Sequence, residues 1–232
     1  MHVRLTAAEQ ATLSGFEEQL RNYRRGAVVI PEQENARELF VVGAGWLHSS
    51  VVLGNGSRQI TRFHFPGDLV GLPLLAFRDS PETVTAVTDA ALYPFGRERI
   101  GALIVEHPRL GAVLLAHSIA ERVAFADRLA LLGRTPARTR VAALLCEIYM
   151  RMRRLGIPSG GPIALPLTQE DIGDATGLTA VHVNRMMRVL VEERVIERRV
   201  GTIRVLDEAR LCAEAGFVDR SPVETGWLPR PR

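Results

Sequence analysis

The chain has 232 residues, of which 47% are hydrophobic and 24% charged, with a formal net charge of +3 at pH 7 and two cysteines. That length supports one large domain or two ordinary ones, each with its own core, and the composition excludes a disordered chain. Cys146 and Cys212 are too few and too far apart in sequence for a disulfide framework or a cluster site. No apolar run approaches the roughly 18 residues of a bilayer span. The opening MHVRLTAAEQ has no apolar signal core, so the expectation is a cytoplasmic protein with no membrane partner.

Every basic residue is arginine, and lysine is absent. Biased genomic composition explains most of that, although arginine is also the better residue for planar, bidentate contacts to phosphate or guanine. In chain order, the first predicted element is a helix with Thr6 as N-cap and Glu9 completing a capping box. From about Val28 to Phe95 the pattern turns strand-like, with short β-rich runs between turn signals at Pro31-Glu32, Gly54-Asn55-Gly56 and Pro66-Gly67-Asp68. Asn55-Gly56, between LHSSVVL and RQITRFHF, predicts a hairpin whose two central residues both take positive φ. Strands at this spacing predict an antiparallel barrel or jelly roll.

From about Arg97 to Arg134 the periodicity becomes helical. Leu110, Val113, Leu114, His117, Ala120, Val123, Ala124 and Leu131 fall at three- and four-residue steps, and Leu115, Ile119, Ala126 and Ala130 widen the apolar face. A helix apolar over more than one stripe buries two sides. One side can cover the barrel; the other needs a second helix, and the simplest partner is a second copy of the chain. Burial wholly within one subunit is the alternative. ARTRVAALLCEIYMRMRRLG then predicts an amphipathic helix ending at Gly156, with Cys146 as inert packing on its apolar face. A loop with a short strand follows in IPSGGPIALP, and SPVETGWLPRPR reads as a loose tail.

The stretch LTQEDIGDATGLTAVHVNRMMRVLVEERVIERRVGTIRVL, from Leu167 to Leu206, carries the chemistry. Thr168 caps one helix, Gly177 makes the break, and Thr179 caps a second helix whose buried stripe is Val183, Met186, Met187 and Leu190. Ala180, Val181, His182, Asn184, Arg185 and Arg188 are left on the outer surface, the pattern of a helix-turn-helix that lays its second helix in the major groove. Arg185 can donate twice to guanine O6 and N7, and Asn184 or His182 can bond a base edge or a phosphate. Thr168, Gln169 and Thr179 sit at helix N-termini, which suit phosphate oxygens. RVIERRVGTIRVL alternates around Val200-Gly201 as a two-stranded wing presenting Arg198 and Arg199. Between Arg134 and Arg204 arginines outnumber acids, a local field that favours DNA. A helical hairpin with merely solvated charges is the bland reading.

These residues resemble the winged helix-turn-helix of the Crp/Fnr family of bacterial transcription regulators, and FHFPGDLVGL is similar to the family's β-roll. The resemblance implies an α+β architecture: an N-terminal antiparallel, jelly-roll-like β-roll of the cyclic-nucleotide-binding type (1–104), a long dimerisation helix (105–134), a winged helix-turn-helix DNA-binding domain (135–220) and the tail (221–232). It implies a homodimer joined through the 105–134 helix on a two-fold operator in double-stranded DNA, with RNA polymerase as a partner, and it leaves open whether an unidentified small molecule acts as effector. Three departures qualify it. Gly71-Leu72-Pro73 stands where cyclic AMP-binding members carry Gly-Glu-Leu, and LLAFRDSPETVTAVTDA lacks their Arg-Ser or Arg-Thr pair, so cyclic AMP is disfavoured; Arg78 is an anion contact or an exposed loop arginine. The N-terminal cysteine run that holds an iron–sulfur cluster in oxygen-sensing members is absent, so that cofactor is disfavoured too. Val181 replaces the glutamate that the family's commonest recognition pattern places four residues before the arginine, and suits a thymine methyl instead.

Two other readings compete. A cupin-type metalloenzyme would use His48 and His64, but the isolated histidines and missing His-x-His pair disfavour it, and the expectation is no enzyme. A ligand-binding module with a degenerate DNA domain is opposed by the capped helices and Arg185.

Overall fold

In the computed structural model, which describes residues 5–17, 19–218 and 225–230, Thr6 opens helix α1 (Ala7–Ser14) with the capping box its sequence predicts: Glu9 N donates to Thr6 Oγ1, and Thr6 N to Glu9 Oε2 at 2.8 Å. The described residues fall into two compact units. The first is drawn from Met1–Val51, Arg62–Ala126 and Arg220–Arg232, the second from Val52–Thr61 and Asp127–Asp219.

The strands run β1 (Arg21–Tyr23), β2 (Val28–Ile30), β3 (Glu38–Ala44), β4 (Leu47–Val52), β5 (Arg58–His64), β6 (Leu69–Val70), β7 (Thr83–Ala86) and β8 (Ala90–Gly96). They form two four-stranded sheets, ordered β1-β8-β3-β6 and β2-β7-β4-β5, with antiparallel pairing of β1 to β8, β3 to β8 and β4 to β7. Ile30, Phe40, Val42, Leu47, Val84 and Leu92 join in one core drawn from both sheets. Alternation along the strands sends these residues to one face. The reading from Val28 misses β1, a short strand of mainly exposed Arg21, Asn22 and half-buried Tyr23, which has no apolar alternation to betray it.

The β4–β5 hairpin is present, but its turn corrects the expectation of two positive-φ residues. Gly54, Asn55 and Gly56 form a three-residue loop in which Leu53 N donates to Ser57 O and Gly56 N to Leu53 O, both at 2.8 Å. Only Gly56 takes positive φ, at 83°. Asn55 instead accepts the Ser57 amide through its side-chain oxygen at 3.0 Å. The geometry is that of a turn closed by a left-handed glycine, which matches strand twist without straining a second residue.

Helix α2 (Glu98–Glu106) stops at His107, and Pro108 starts α3 (Pro108–Arg134) where its missing N–H leaves no bond unmade. Ile100 and Leu103 of α2, Leu110 of α3 and Phe16 close over Leu39 and Phe95 as a second core cluster of the first unit. Beyond Leu110 no residue of α3 is buried; Leu115, Ile119, Phe125 and Leu129 are exposed, as are Ala120 and Ala124 of the predicted stripe.

The second unit is built on α4 (Ala137–Arg154), followed by β9 (Pro162–Ala164), α5 (Gln169–Thr176), α6 (Ala180–Glu192), β10 (Ile196–Arg199), β11 (Thr202–Val205) and α7 (Glu208–Glu214). Val141, Leu145, Ile148, Tyr149 and Met152 of α4 are buried and supply its core with Ile163, Ile172, Val183, Met187, Leu190, Ile196 and Leu211. The three strands pair in the order β10-β11-β9. Met186, expected in the buried stripe of α6, is only half buried. The fold also corrects the distance assigned to the cysteines: α7 brings Cys212 to 3.6 Å from Cys146 of α4, sulfur to sulfur. Sequence separation hid that, because α7 returns to pack on α4 only after the whole intervening domain.

Of the predicted tail, residues 221–224 and 231–232 lie outside the described residues; Thr225–Trp227 form a 3-10 turn and Leu228 is buried. Among the described residues no helix is long and apolar enough to cross a membrane.

Candidate nucleic-acid interface

The site is a surface of two capped helices and a hairpin. Thr168 takes an extended conformation, accepts the Asp171 amide on Oγ1 at 3.0 Å, and donates its own amide to Asp171 Oδ2 at 2.9 Å. Two of the free amides at the start of α5 are thereby satisfied, and a carboxylate sits at the positive end of the helix. At the other end Gly177 adopts φ 64° and ψ 39°, the left-handed cap that lets the chain turn sharply into α6. The turn is tight: a Cβ on Gly173 would lie 2.5 Å from the carbonyl oxygen of Leu178, so α5 needs glycine there for α6 to start where it does.

Thr179 repeats the device. Its hydroxyl accepts the His182 amide at 3.4 Å and lies 3.0 Å from His182 Nδ1, so cap and ring hold each other. Val183, Met187 and Leu190 anchor α6 in the core, which leaves the opposite face outward. Val181, His182, Asn184, Arg185 and Arg188 are exposed, and Ala180 is half-buried. Val181 is 79% exposed, an apolar side chain with no packing role to explain it. Arg185 and Arg188 form no ion pair among the described residues. Thr168 is exposed, but Gln169 is half-buried and its Oε1 is buried without a hydrogen-bond partner among the described residues. Only part of the Gln169 amide is therefore free to reach outward.

The wing pairs Arg198 with Ile203 and Arg199 with Thr202 across a turn in which Gly201 takes φ 69° and Val200 is fully exposed. Arg199 is exposed but lies 3.0 Å from Glu197, which also faces Arg204 at 3.9 Å.

Several arginines counted into the basic field prove to be scaffold. Arg138 of α4 donates to both oxygens of Glu193, at 2.7 and 2.8 Å, and to Glu214 at 2.7 and 2.5 Å. Arg210 reaches Glu193 and Glu214 as well. Hydrogen bonding to Glu193 and Glu214 raises the Arg138 pKa, and the Arg138 contact lowers that of Glu193. Arg140 donates to the carbonyl oxygens of Thr176 at 3.0 Å and Gly177 at 3.4 Å, bracing the helix-to-helix turn. Arg153 is held by Glu208 and by the Tyr149 hydroxyl. The local sequence gives no signal for the bonds of Arg138 and Arg140 or for Arg153 with Glu208, because those partners stand 36 to 76 positions away. Among the arginines left exposed, Arg185 and Arg188 lie on α6 and Arg198 and Arg199 on the wing, while Arg134, Arg154 and Arg194 lie elsewhere; the first four give a charge suited to a DNA groove and its phosphates.

In the barrel, His64 Nε2 lies 2.8 Å from Ser49 Oγ, which donates to Glu82, and His48 stacks edge-on near Phe63. Among the described residues no three His, Cys, Asp or Glu side chains are grouped to hold a metal ion.

Comparison with known proteins places both units. Residues 20–107 match the model of the cyclic nucleotide-binding domain, and residues 139–214 that of the Crp-like helix-turn-helix domain. The chain is 33% identical over 218 residues to the transcriptional activator protein FnrL of Cereibacter sphaeroides, covering 92% of this chain and 86% of that one. It is 31% identical over 214 residues to the nitrogen fixation regulation protein FixK of Bradyrhizobium diazoefficiens, covering 90% and 88%. Among solved structures, FixK2 from Bradyrhizobium japonicum superposes with a TM-score of 0.75 at 27% identity, covering 88% of this chain and 98% of that chain.

Proposed function

Since the chain belongs to the Crp/Fnr family of bacterial transcription regulators, we propose that it acts as a homodimer on a two-fold operator, each copy laying α6 in the major groove of double-stranded DNA. The observation that carries this is the outward face of α6: Val181, His182, Asn184, Arg185 and Arg188, exposed and held by two threonine caps and a buried stripe. Arg185 reads guanine by a bidentate contact, and Val181 meets a thymine methyl. Asn184 and His182 take base edges or phosphates; Thr168, Thr179 and the outer part of Gln169 take phosphate oxygens near Ala180, and Arg199 follows the backbone from the wing.

The functional division is 1–104 as effector domain, 105–134 as dimerisation helix, 135–220 as DNA-binding domain and 221–232 as tail. The exposed apolar positions of α3 support the dimer. Any small-molecule effector is one other than cyclic AMP: Leu72 occupies the turn after left-handed Gly71, and Arg78 is 85% exposed with Asp79 at 4.0 Å, a poor cradle for a cyclic phosphate. RNA polymerase is the partner at the promoter, and the cytoplasm is the compartment where both are met.

Selection of bound duplexes from a random pool, followed by titration of the winner against a scrambled duplex at several salt concentrations, tests the reading. The expected site is a palindrome with half-sites about one helical turn apart, and affinity falls steeply with salt. Equal binding to selected and scrambled duplexes at every salt concentration overturns it.

A further inference from the structure

We propose that Cys146 and Cys212 are an oxidisable dithiol, a modification site at which a hydroperoxide converts the two thiols into an intramolecular disulfide joining α4 to α7. The sulfurs stand 3.6 Å apart although their residues are 66 positions apart in sequence. Closing to bonding distance takes about 1.5 Å of approach, within reach of rotamer adjustment at the short helix α7. That helix is otherwise well placed: Asp207 caps it by accepting the Arg210 amide, Glu214 is held by Arg138, and Glu208 accepts from the Tyr149 hydroxyl at 2.7 Å. Leu211 and Ala215 are buried on either side of Cys212. The two sulfurs therefore face each other as a consequence of the fold and not of a passing contact. With no third His, Cys or carboxylate completing a group among the described residues, the pair is not a metal site.

Exposure sets the order of events. Cys146 is 1% exposed, whereas Cys212 is partly accessible. Burial, with the neighbouring Cys212 sulfur, pushes the Cys146 thiol well above the ordinary range, so Cys146 is not the first nucleophile. In the first step the Cys212 sulfur attacks the hydroperoxide. An S–O bond forms, the O–O bond breaks, and the thiol proton leaves with the alcohol, giving a sulfenic acid. In the second step the Cys146 sulfur attacks the Cys212 sulfur. The S–S bond forms, the S–O bond breaks, and the departing hydroxide takes the Cys146 proton as water. Two thiols lose two electrons in all, and the peroxide gains them. Proximity favours the second step despite the reluctance of the buried thiol to ionise. The product is a covalent ring enclosing residues 147–211, which contain α5, α6 and the wing. In a reducing compartment such a bond is transient and is opened by dithiol reductants.

The test is to treat the reduced full-length protein with tert-butyl hydroperoxide, block free thiols with iodoacetamide, and record intact mass and peptide maps. The expected product is a monomer-length chain lighter by two hydrogens, resistant to alkylation, with Cys146 and Cys212 peptides linked and separated again by dithiothreitol. Two alkylated cysteines after exposure, a disulfide between two chains on a non-reducing gel, or Cys212 carried to the sulfinic acid without linkage would each overturn the proposal. Cys146→Ala keeps the first step alone: Cys212 is then trapped by dimedone as its sulfenic acid. In Cys212→Ser, Cys146 stays reduced; oxidation of Cys146 in that variant overturns the assigned order.

Discussion

Arg185 projects from the second turn of α6 with no acid to hold it among the described residues, whereas Arg199 on the wing shares Glu197. The two arginines should fail differently. Arg185→Ala is expected to cost about 1–3 kcal/mol of binding and to relax preference at one base position per half-site. Arg199→Ala weakens all duplexes alike and lowers the salt slope. Titrating each variant against a set of single-base operator changes separates them, and uniform weakening by Arg185→Ala would reassign it to phosphate. A different residue governs acid stability. Burial opposes the charge of Glu121 on α3, but hydrogen bonds from His117 and Arg62, and their charges, overcome it and hold the carboxyl near pKa 2. The folded pKa lies below the unfolded value, so the contribution is fully present above about pH 4.5 and is lost as pH falls toward 2. Glu121→Gln should lower stability by about 1–3 kcal/mol near neutral pH, and the gap between the two melting temperatures should close as pH drops from 5 to 3. A gap independent of pH would assign the loss to packing.

At the level of elements, two glycines that look alike in sequence have opposite roles. Gly173 in α5 faces the carbonyl of Leu178, where an added Cβ would sit at 2.5 Å, while Gly101 in α2 has open space. Gly173→Ala is expected to destabilise the DNA-binding unit by roughly 1–3 kcal/mol through forced separation of α5 and α6. Gly101→Ala should stabilise by about 0.5–1 kcal/mol through helix propensity. Thermal melts followed by circular dichroism give both signs, and a neutral Gly173→Ala would show that the turn relaxes freely. The same contrast explains what the chain reveals on inspection. Thr6, Thr168, Thr179 and Gly177 act on groups within four residues, so their caps are readable locally. The outer face of α6 is readable because its buried residues recur at helical spacing. β1 and α7 are short and lack an apolar period, and Arg138 bonds partners 55 and 76 positions away. Such features exist only once the chain has folded, and the contact of the two cysteines belongs with them.

For the whole molecule, the long helix poses the remaining problem. Leu115 is 58% exposed and Leu129 72%, with Ile119 and Phe125 also exposed between them. These positions succeed one another at four, six and four residues, so they keep to one side of α3 and leave a continuous apolar strip facing water. In the proposed dimer a second copy covers that strip, and the two-fold axis so created would match the symmetry of a palindromic site. Binding two half-sites through one rigid pair raises affinity without any new DNA contact, by roughly 100-fold or more. Leu115→Glu with Ile119→Glu places charge in the strip while touching neither the barrel core nor α6. The expected outcome is a wild-type dimer and a monomeric variant by sedimentation, with helicity retained. Affinity for the full operator should fall by roughly 100-fold, while affinity for an isolated half-site stays unchanged. A variant that remains dimeric would move the interface elsewhere. One that becomes monomeric yet keeps full operator affinity would show that one recognition helix suffices, and the two-fold account of this regulator would have to be abandoned.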